Sequence, residues 1–242
     1  MNKEYKSWPI GKVPKEFQRP ELDMVKEAGY DWDDAWDVVS MFEQKMADFA
    51  GCKYGVAVDN CTDAVFLSLK WMQKKGLDLG KDITIPRHSY CSIPMAIKLA
   101  GYDLNFETIE WSGYYQLKPY PVYDAAVRFR KNMFVGDKDG EYSYHCISFQ
   151  LKKRLPIGKG GMILTNDKEA VEWFKLMRYE GRNLDVYYPE DNFGEIGWNM
   201  YMTPEDAARG IMLMDQLPDE NEDTGNWKTY SDLKKQEVFK NG

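Results

Sequence analysis

Residues 148–165 read SFQLKKRLPIGKGGMILT, and this stretch decides how the rest of the chain is interpreted. Its first residues continue an apolar run that is typical of a buried strand, and residues 162–165 are typical of a second strand. Between the two runs lies a loop that contains Lys153 and has three glycines within residues 158–161. The stretch therefore predicts a strand, a glycine-flanked loop that carries an amine, and a second strand.

Strands and helices alternate along the chain around this stretch. Such alternation favours an α/β fold, here a three-layer α/β/α arrangement around a mainly parallel mixed sheet. Short apolar runs predict strands at 54–58, 82–86, 102–108, 121–123, 144–149 and 162–165. Apolar residues at helical spacing predict helices from residue 33 to Gly51, from residue 61 to near Gly76, and over 94–100, 168–179 and 204–217.

Three parts of the chain follow from these elements. Residues 1–31 are expected to form an N-terminal arm, which is extended over residues 7–19 because two prolines and a glycine interrupt that stretch. Residues 32–217 hold the predicted α/β domain. Residues 218–242 form a short C-terminal tail, first acidic and then mixed in charge, which we expect to lie on the surface.

Composition excludes several classes of function. The 242 residues carry a formal net charge of −7, which argues against a nucleic-acid partner because phosphate backbones select for clustered Lys and Arg. Apolar runs fall short of the ~20 residues that a membrane span needs, and residues 1–12 lack an apolar signal-peptide core. With two histidines and no C-x-x-C pair, neither a metal site nor a disulfide framework is expected. We expect a cytoplasmic protein.

Four polar residues follow predicted strands: Thr62, Tyr90, Asp124 and Lys153. Ligands of α/β sheets gather at the carboxyl ends of strands. The chain lacks a dinucleotide-binding G-x-G-x-x-G, a Walker loop and a persuasive Ser-His-Asp set. The remaining groups are those that pyridoxal phosphate requires: an amine for the Schiff base, a carboxylate for the ring nitrogen, an aromatic ring, and a helix N-terminus for the phosphate.

The central stretch resembles the lysine motif of the DegT/StrS-type sugar aminotransferases, approximately S-F-x-x-x-K-x-L-x-x-G-x-G-G. These are pyridoxal-phosphate-dependent enzymes with the fold of the aspartate aminotransferase superfamily (fold type I). The resemblance implies that Lys153 forms the Schiff base and is the catalytic residue. It also implies that Ser148 contacts the cofactor phosphate.

Two further segments resemble parts of the family's cofactor site. The family's S-G-T-D/A-A-L becomes NCTDAV, which implies that Cys61, Thr62 and Asp63 form the phosphate cup. Cys61 stands where the family has a glycine, so a positive φ at this position would be strained. The family's P-x-x-T-[FWY] becomes PRHSY, which implies that Tyr90 stacks on the cofactor ring.

Two more segments complete the resemblance. The family's E-D-A-A-Q becomes YDAAV, which gives Asp124 the ring-nitrogen role and puts Val127 in place of a glutamine that contacts the cofactor's phenolic oxygen. Valine cannot donate that hydrogen bond. The segment GWNMYMT resembles the family's G-x-N-x-R-M-[ST], which implies that Asn199 reaches the cofactor phosphate of a partner subunit and that the protein is a homodimer with shared sites.

The resemblance implies an aminotransferase that moves an amino group, with glutamate as the expected donor, to a keto group of a nucleotide-linked sugar. A related branch dehydrates deoxysugars and has a histidine at the lysine position, so Lys153 favours transamination. A third hypothesis is a catalytically inactive homodimer that binds pyridoxal phosphate or another ligand. It stays open because the chain is shorter than family members between residues 108 and 121 and after residue 217.

Overall fold

The described residues, 14–137 and 142–240 of a computed structural model, form six α-helices and seven strands. The helices are α1 (Glu21–Glu27), α2 (Asp37–Ala50), α3 (Cys61–Lys74), α4 (Ser92–Leu99), α5 (Lys168–Met177) and α6 (Pro204–Met214). The strands are β1 (Tyr54–Val58), β2 (Asp82–Pro86), β3 (Asp103–Glu107), β4 (Tyr115–Gln116), β5 (Val122–Asp124), β6 (Tyr144–Ser148) and β7 (Gly161–Thr165). Short 3-10 turns occupy Lys15–Phe17, Tyr188–Glu190, Trp227–Thr229, Leu233–Lys235 and Glu237–Phe239.

Local sequence signals set the helix boundaries near the cavity described below. Helix α2 ends at Gly51, which takes a left-handed conformation with φ of 80° that favours glycine. Helix α3 begins after Asn60, whose side chain accepts a hydrogen bond from the backbone N–H of Asp63 at 2.9 Å. Cys61, in the first turn of α3, is not among the described non-glycine residues with positive φ, so the strain considered for this position is absent.

The sheet is mixed, as predicted, but its pairing differs from the expected mainly parallel one. The five-stranded part has the order β1-β7-β6-β5-β4, in which β5 and β6 are parallel and the other neighbours are antiparallel. The reason is that β7 returns between β1 and β6, so both of its neighbours run against it. Strands β2 and β3 form a separate parallel pair.

Strand β4 is a feature that the sequence patterns did not predict. It pairs antiparallel with β5 in a hairpin, and Leu117 donates its N–H to the carbonyl of Val122 at 2.8 Å. The same segment reaches β2, because Thr84 and Lys118 exchange backbone hydrogen bonds of 2.8 and 3.1 Å. The short link between residues 108 and 121 thus pairs antiparallel with β5 on one side and with β2 on the other.

Two apolar clusters pack on opposite faces of the sheet. Along β7, Ile163 joins one cluster, whereas Met162 and Leu164 join the other, as expected when successive side chains of a strand point to opposite faces. The first cluster includes side chains of α3, α4 and α5, and the second includes side chains of α2 and α6. This arrangement confirms the predicted three-layer α/β/α class.

Two terminal regions contain features that the sequence patterns did not predict. Residues 1–13 of the predicted N-terminal arm lie outside the described residues, but within the described part of that arm α1 forms and packs against α6. In the tail, Leu233 is buried and other residues reach into the cavity, so the described part of residues 218–242 is not confined to the surface. In the part of the chain that the structure describes, helices are too short or too polar to cross a membrane.

Candidate active site

The loop that carries Lys153 is held at its base by backbone hydrogen bonds. Phe149 donates its N–H to the carbonyl of Gly160 at 2.9 Å, and Gly158 donates to Phe149 at 3.2 Å. Leu155 is fully buried in the core beneath the loop. Because both ends and one side of the loop are fixed, Lys153 is presented at a defined place beside the carboxyl end of β6.

A cavity of about 600 Å³ lies at this edge of the sheet. Its volume falls within the range of about 300–1,000 Å³ that small-molecule sites occupy. The residues that line it come from strand ends, loops, the start of α3 and the C-terminal tail: Asn60, Cys61, Thr62, Tyr90, Ser92, Ile93, Trp111, Asp124, Ala126, Val127, Ser148, Gln150, Lys152, Lys153, Lys159, Gly160, Thr224, Thr229 and Tyr230.

Asp124 is the buried carboxylate of the cavity. It ends β5, is 6% exposed, and accepts a hydrogen bond from the N–H of Ala126 at 3.0 Å. Burial raises the pKa of Asp124, an effect that the Tyr115 hydroxyl, the Ala126 N–H and the positive charge of Lys153 oppose. A cationic group of a ligand at this place would pair with a carboxylate that is already buried.

The start of α3 forms another wall. Thr62 and Cys61 line the cavity in the first turn of this helix, where backbone N–H groups favour anions. Gly161 passes so close to the start of α3 that a Cβ on it would collide with the backbone of Asn60 and Cys61. The glycine at this position therefore allows the lysine loop and the helix start to share one cavity.

Asp63 does not line the cavity, although the sequence resemblance groups it with Cys61 and Thr62. Its carboxylate instead accepts a hydrogen bond from the Asn60 amide at 2.6 Å. Burial, reinforced by the neighbouring carboxylate of Asp59, raises the pKa of Asp63 to about 7. Asp59 in turn pairs with Lys159 at 2.8 Å, so a small charge network stands beside the helix start.

The other predicted residues fall into two groups. Ser148, at the end of β6, and Tyr90, which is 59% exposed, both line the cavity with Lys153 and Asp124. Asn199 does not line it; its amide donates to Glu180 at 2.7 Å on an exposed part of the chain. The structure thus brings Lys153, Asp124, Tyr90, Ser148, Thr62 and Cys61 around one cavity and leaves Asp63 and Asn199 outside it.

The sequence patterns did not predict that the C-terminal tail forms a second wall of the cavity. We call residues 222–233 the strap; its Thr224, Thr229 and Tyr230 line the cavity. Thr224 donates its N–H to the carbonyl of Val127 at 2.9 Å. The predicted domain boundary at residue 217 stays a prediction, but the cavity draws on residues beyond it.

Two buried or half-buried ion pairs fasten the strap. Arg128 donates from Nε and Nη2 to Asp223 at 3.1 and 2.9 Å, with both side chains largely buried. Arg87 pairs with Asp232 at the other end of the strap. The Arg128–Asp223 pair is fork-shaped, with two hydrogen bonds, and pairs of this kind are geometrically specific. The strap has no strand or helix periodicity. The aromatic residues of WKTY at 227–230 are the one feature of its sequence that could have indicated a buried segment.

Solved structures with the same fold include a pyridoxal-phosphate-dependent aminotransferase of Bacillus cereus, sugar aminotransferases and a synthase. 3-Amino-5-hydroxybenzoic acid synthase superposes with a TM-score of 0.63, 22% identity, and coverage of 88% of this chain and 64% of that one. PseC of Helicobacter pylori, an aminotransferase of pseudoaminic acid biosynthesis, superposes with a TM-score of 0.59, 15% identity, and coverage of 83% and 63%. The fold is therefore that of pyridoxal-phosphate-dependent transferases, as predicted.

Sequence comparison identifies the family. The model of the DegT/DnrJ/EryC1/StrS aminotransferase family matches residues 18–134 and 122–236, and the chain belongs to this family. GDP-perosamine synthase of Caulobacter vibrioides is 24% identical over 73% of this chain and 56% of its own length. GDP-perosamine synthase of Escherichia coli O157:H7 is 27% identical over 75% and 58%. The chain thus spans less than three fifths of the length of these curated relatives.

Proposed function

We propose that this protein is a pyridoxal-phosphate-dependent aminotransferase that transfers an amino group from glutamate to a keto group of a nucleotide-linked sugar. The observation that carries the proposal is one cavity lined by both Lys153 and the buried Asp124. Family membership and the sugar aminotransferases among the relatives support the reaction class. We also propose that it works in the cytoplasm as a homodimer, independently of nucleic acid and membranes.

The residues of the cavity fit pyridoxal phosphate. A carboxylate that burial has desolvated suits the ring nitrogen, and the helix start suits the phosphate. An amine from the glycine-flanked loop reaches the same space, and Tyr90 offers an aromatic face at its rim. When bound, the cofactor supplies an electron sink at the carbon that carries the amino group.

Each residue has a distinct task in the proposed reaction. Lys153 would hold the cofactor through its Nζ, and its free amine would then move a proton, as general base and afterwards as general acid. Asp124 keeps the proton on the ring nitrogen by pairing with it through its carboxylate oxygens. Tyr90 packs against the ring.

The phosphate contacts come from two elements. Thr62 and the N–H groups at the start of α3 bind the phosphate from one side, and the hydroxyl of Ser148 binds it from the end of β6. Asn199, which is exposed and outside this cavity, is proposed to reach the cofactor phosphate of a partner subunit. Asp63 acts on the phosphate site through Asn60, because its carboxylate contacts that amide rather than the cavity.

The decisive experiment identifies the residue that carries the cofactor. The full chain is incubated with pyridoxal phosphate, reduced with borohydride, digested and analysed by mass spectrometry. We expect the reduced cofactor on Lys153, its loss in Lys153→Ala, and its retention in the matched control Lys152→Ala, whose lysine also lines the cavity. Modification of neither lysine, or of Lys152 alone, would contradict the proposal.

A second measurement separates an enzyme from a binding protein. The wild-type chain is given pyridoxal phosphate, glutamate and a keto sugar linked to a nucleotide, and 2-oxoglutarate is measured. Production of 2-oxoglutarate that disappears in Lys153→Ala supports transamination. Cofactor capture without amino transfer would support the catalytically inactive alternative, and sugar dehydration without consumption of glutamate would support the dehydratase.

A further inference from the structure

The strap places three hydroxyl groups on the cavity, and two of them are already engaged. Thr224 donates its hydroxyl to the carbonyl of Val127 at 3.3 Å. Thr229 donates to the carbonyl of Asn226 at 2.7 Å and accepts from the Asn226 N–H at 3.3 Å. The Tyr230 hydroxyl has no hydrogen-bond partner within residues 14–137 and 142–240. Of the three, Tyr230 is the donor that remains available to a ligand.

The position of the Tyr230 ring is fixed by its neighbours. The ring stacks on Trp111 with centroids 5.6 Å apart and an interplanar angle of 29°. Trp111 is itself held, because its Nε1–H donates to the carbonyl of His88 at 2.9 Å. His88 also contacts the backbone oxygen of Tyr230 through Nδ1 at 3.0 Å. Ring and backbone of Tyr230 are therefore both anchored, so its hydroxyl is positioned before a ligand arrives.

The Tyr230 hydroxyl lies within the electrostatic reach of Asp124. Burial raises the pKa of Tyr230 to about 12, and the negative charge of Asp124 contributes to the rise. The phenol therefore stays protonated near neutral pH and can donate a hydrogen bond. Tyr230 and Asp124 line the same cavity.

The cavity-lining residues that follow Asp124 most closely in the chain provide no side-chain donor. They are Ala126 and Val127, whose side chains carry only methyl groups. A pyridoxal ring whose nitrogen pairs with Asp124 and whose aldehyde carbon is joined to Lys153 has one further polar ring substituent besides the phosphate arm, its phenolic oxygen. That oxygen needs a donor, and the hydroxyl of Tyr230, which lines the same cavity, can provide it.

We propose that Tyr230 is a cofactor-binding residue whose ring forms the outer wall of the site and whose hydroxyl donates a hydrogen bond to the phenolic oxygen of pyridoxal phosphate. The strap is accordingly part of the cofactor site rather than a surface tail. This inference rests on the proposed function, because it assumes that Lys153 and Asp124 hold the same cofactor.

The test compares two tyrosines that lose only a hydroxyl. Tyr230→Phe keeps the ring on Trp111 and removes the donor; Tyr187→Phe is the matched control, since Tyr187 is 71% exposed and outside the cavity. Pyridoxal phosphate binding to each apo chain is measured by quenching of tryptophan fluorescence. The absorbance of the bound chromophore is recorded from pH 6 to pH 9.

In Tyr230→Phe we expect affinity to fall about tenfold, the loss of one hydrogen bond to a charged oxygen. We also expect a shift in the pH at which the chromophore changes colour. In Tyr187→Phe both quantities should equal those of the wild type. A further variant, Tyr230→Ala, removes the wall as well and should bind more weakly than Tyr230→Phe.

Two failures can be told apart. If the wild type captures the cofactor on Lys153 and Tyr230→Phe matches it in affinity and spectrum, the role of Tyr230 is overturned while the proposed function stands. If the wild type does not capture the cofactor on Lys153, both proposals fail together. Thermal melting of the apo variants, monitored by circular dichroism, shows whether the fold is unchanged.

Discussion

The two walls of the cavity are built in different ways. The inner wall consists of strand ends, the lysine loop and the start of α3, so each residue is placed by an element with its own sequence signal. The outer wall is the strap, a segment without regular periodicity that is fastened by the Arg128–Asp223 and Arg87–Asp232 pairs. Strand ends can therefore be predicted from a few neighbouring residues, whereas a wall that is held by ion pairs between residues far apart in the chain cannot.

The largest effect is expected from the inner wall. Asp124→Asn removes the charge that would pair with the ring nitrogen and leaves a neutral amide in a buried place. Breaking a buried charge pair costs about 3–5 kcal/mol, roughly 10²–10³-fold in affinity or more. We therefore expect a loss of this size in pyridoxal phosphate affinity, measured by fluorescence titration.

Asp63→Asn is the matched control for this change. Asp63 is a second aspartate near the helix start, but its side chain contacts Asn60 rather than the cavity. Its substitution should weaken cofactor binding far less. Equal losses in the two variants would contradict the division between residues that face the ligand and residues that support the helix start.

A smaller effect is expected from the outer wall, where two aspartates of the tail can be compared. Asp223 pairs with Arg128 and is largely buried, whereas Asp219 pairs with Lys131 at 2.8 Å and is 61% exposed. Hydrogen bonds between charged groups contribute about 1.5–3 kcal/mol when water is excluded, and exposed pairs contribute little. Asp223→Asn should therefore weaken cofactor binding about tenfold, and Asp219→Asn should leave it unchanged.

Hydrogen exchange checks the cause of that difference. In Asp223→Asn the amides of residues 222–233 should exchange faster than in the wild type, while those of the inner wall stay protected. If Asp223→Asn bound the cofactor as tightly as the wild type, with faster exchange in the strap, the strap would not contribute to the site.

The smallest effect is expected on the pH dependence of stability, through Asp63 beside the start of α3. The pKa of Asp63 is raised to about 7 in the folded chain, chiefly by burial and then by Asp59. For an acid whose pKa is higher when folded, the folded state keeps a proton that the unfolded chain releases, so stability declines as pH rises from about 4 to 7. Melting temperatures at pH 5 and pH 8 should differ less in Asp63→Asn than in the wild type. An equal difference in both would show that Asp63 does not titrate in this range.

Much of the fold followed from local patterns. Gly51 ends α2, Asn60 begins α3, and β1 and β2 occupy the predicted residues 54–58 and 82–86, because caps and apolar runs act over a few residues. Strand β4 was not predicted because two residues carry no periodicity, and its place between β2 and β5 depends on pairing with distant strands.

The residues of the candidate site can likewise be divided into those whose positions were predicted from local sequence and those whose positions were not. The positions of Lys153 and Asp124 at strand ends were predicted because the carboxyl ends of strands in an α/β sheet face a common edge. The roles of these residues remain predictions that the variants above test. The proposed contribution of Tyr230 was not predicted, because its position depends on contacts with Trp111 and with His88, which is 142 positions away in the chain.

The location of the strap has a consequence for biosynthesis. Translation proceeds from the N-terminus, so the inner-wall residues that line the cavity have all been synthesised by Gly160, about sixty residues before the strap begins at residue 222. The cavity acquires Thr224, Thr229 and Tyr230 only when the strap has been added. A nascent chain that ends before the strap would therefore carry Lys153 and Asp124 but lack the outer wall.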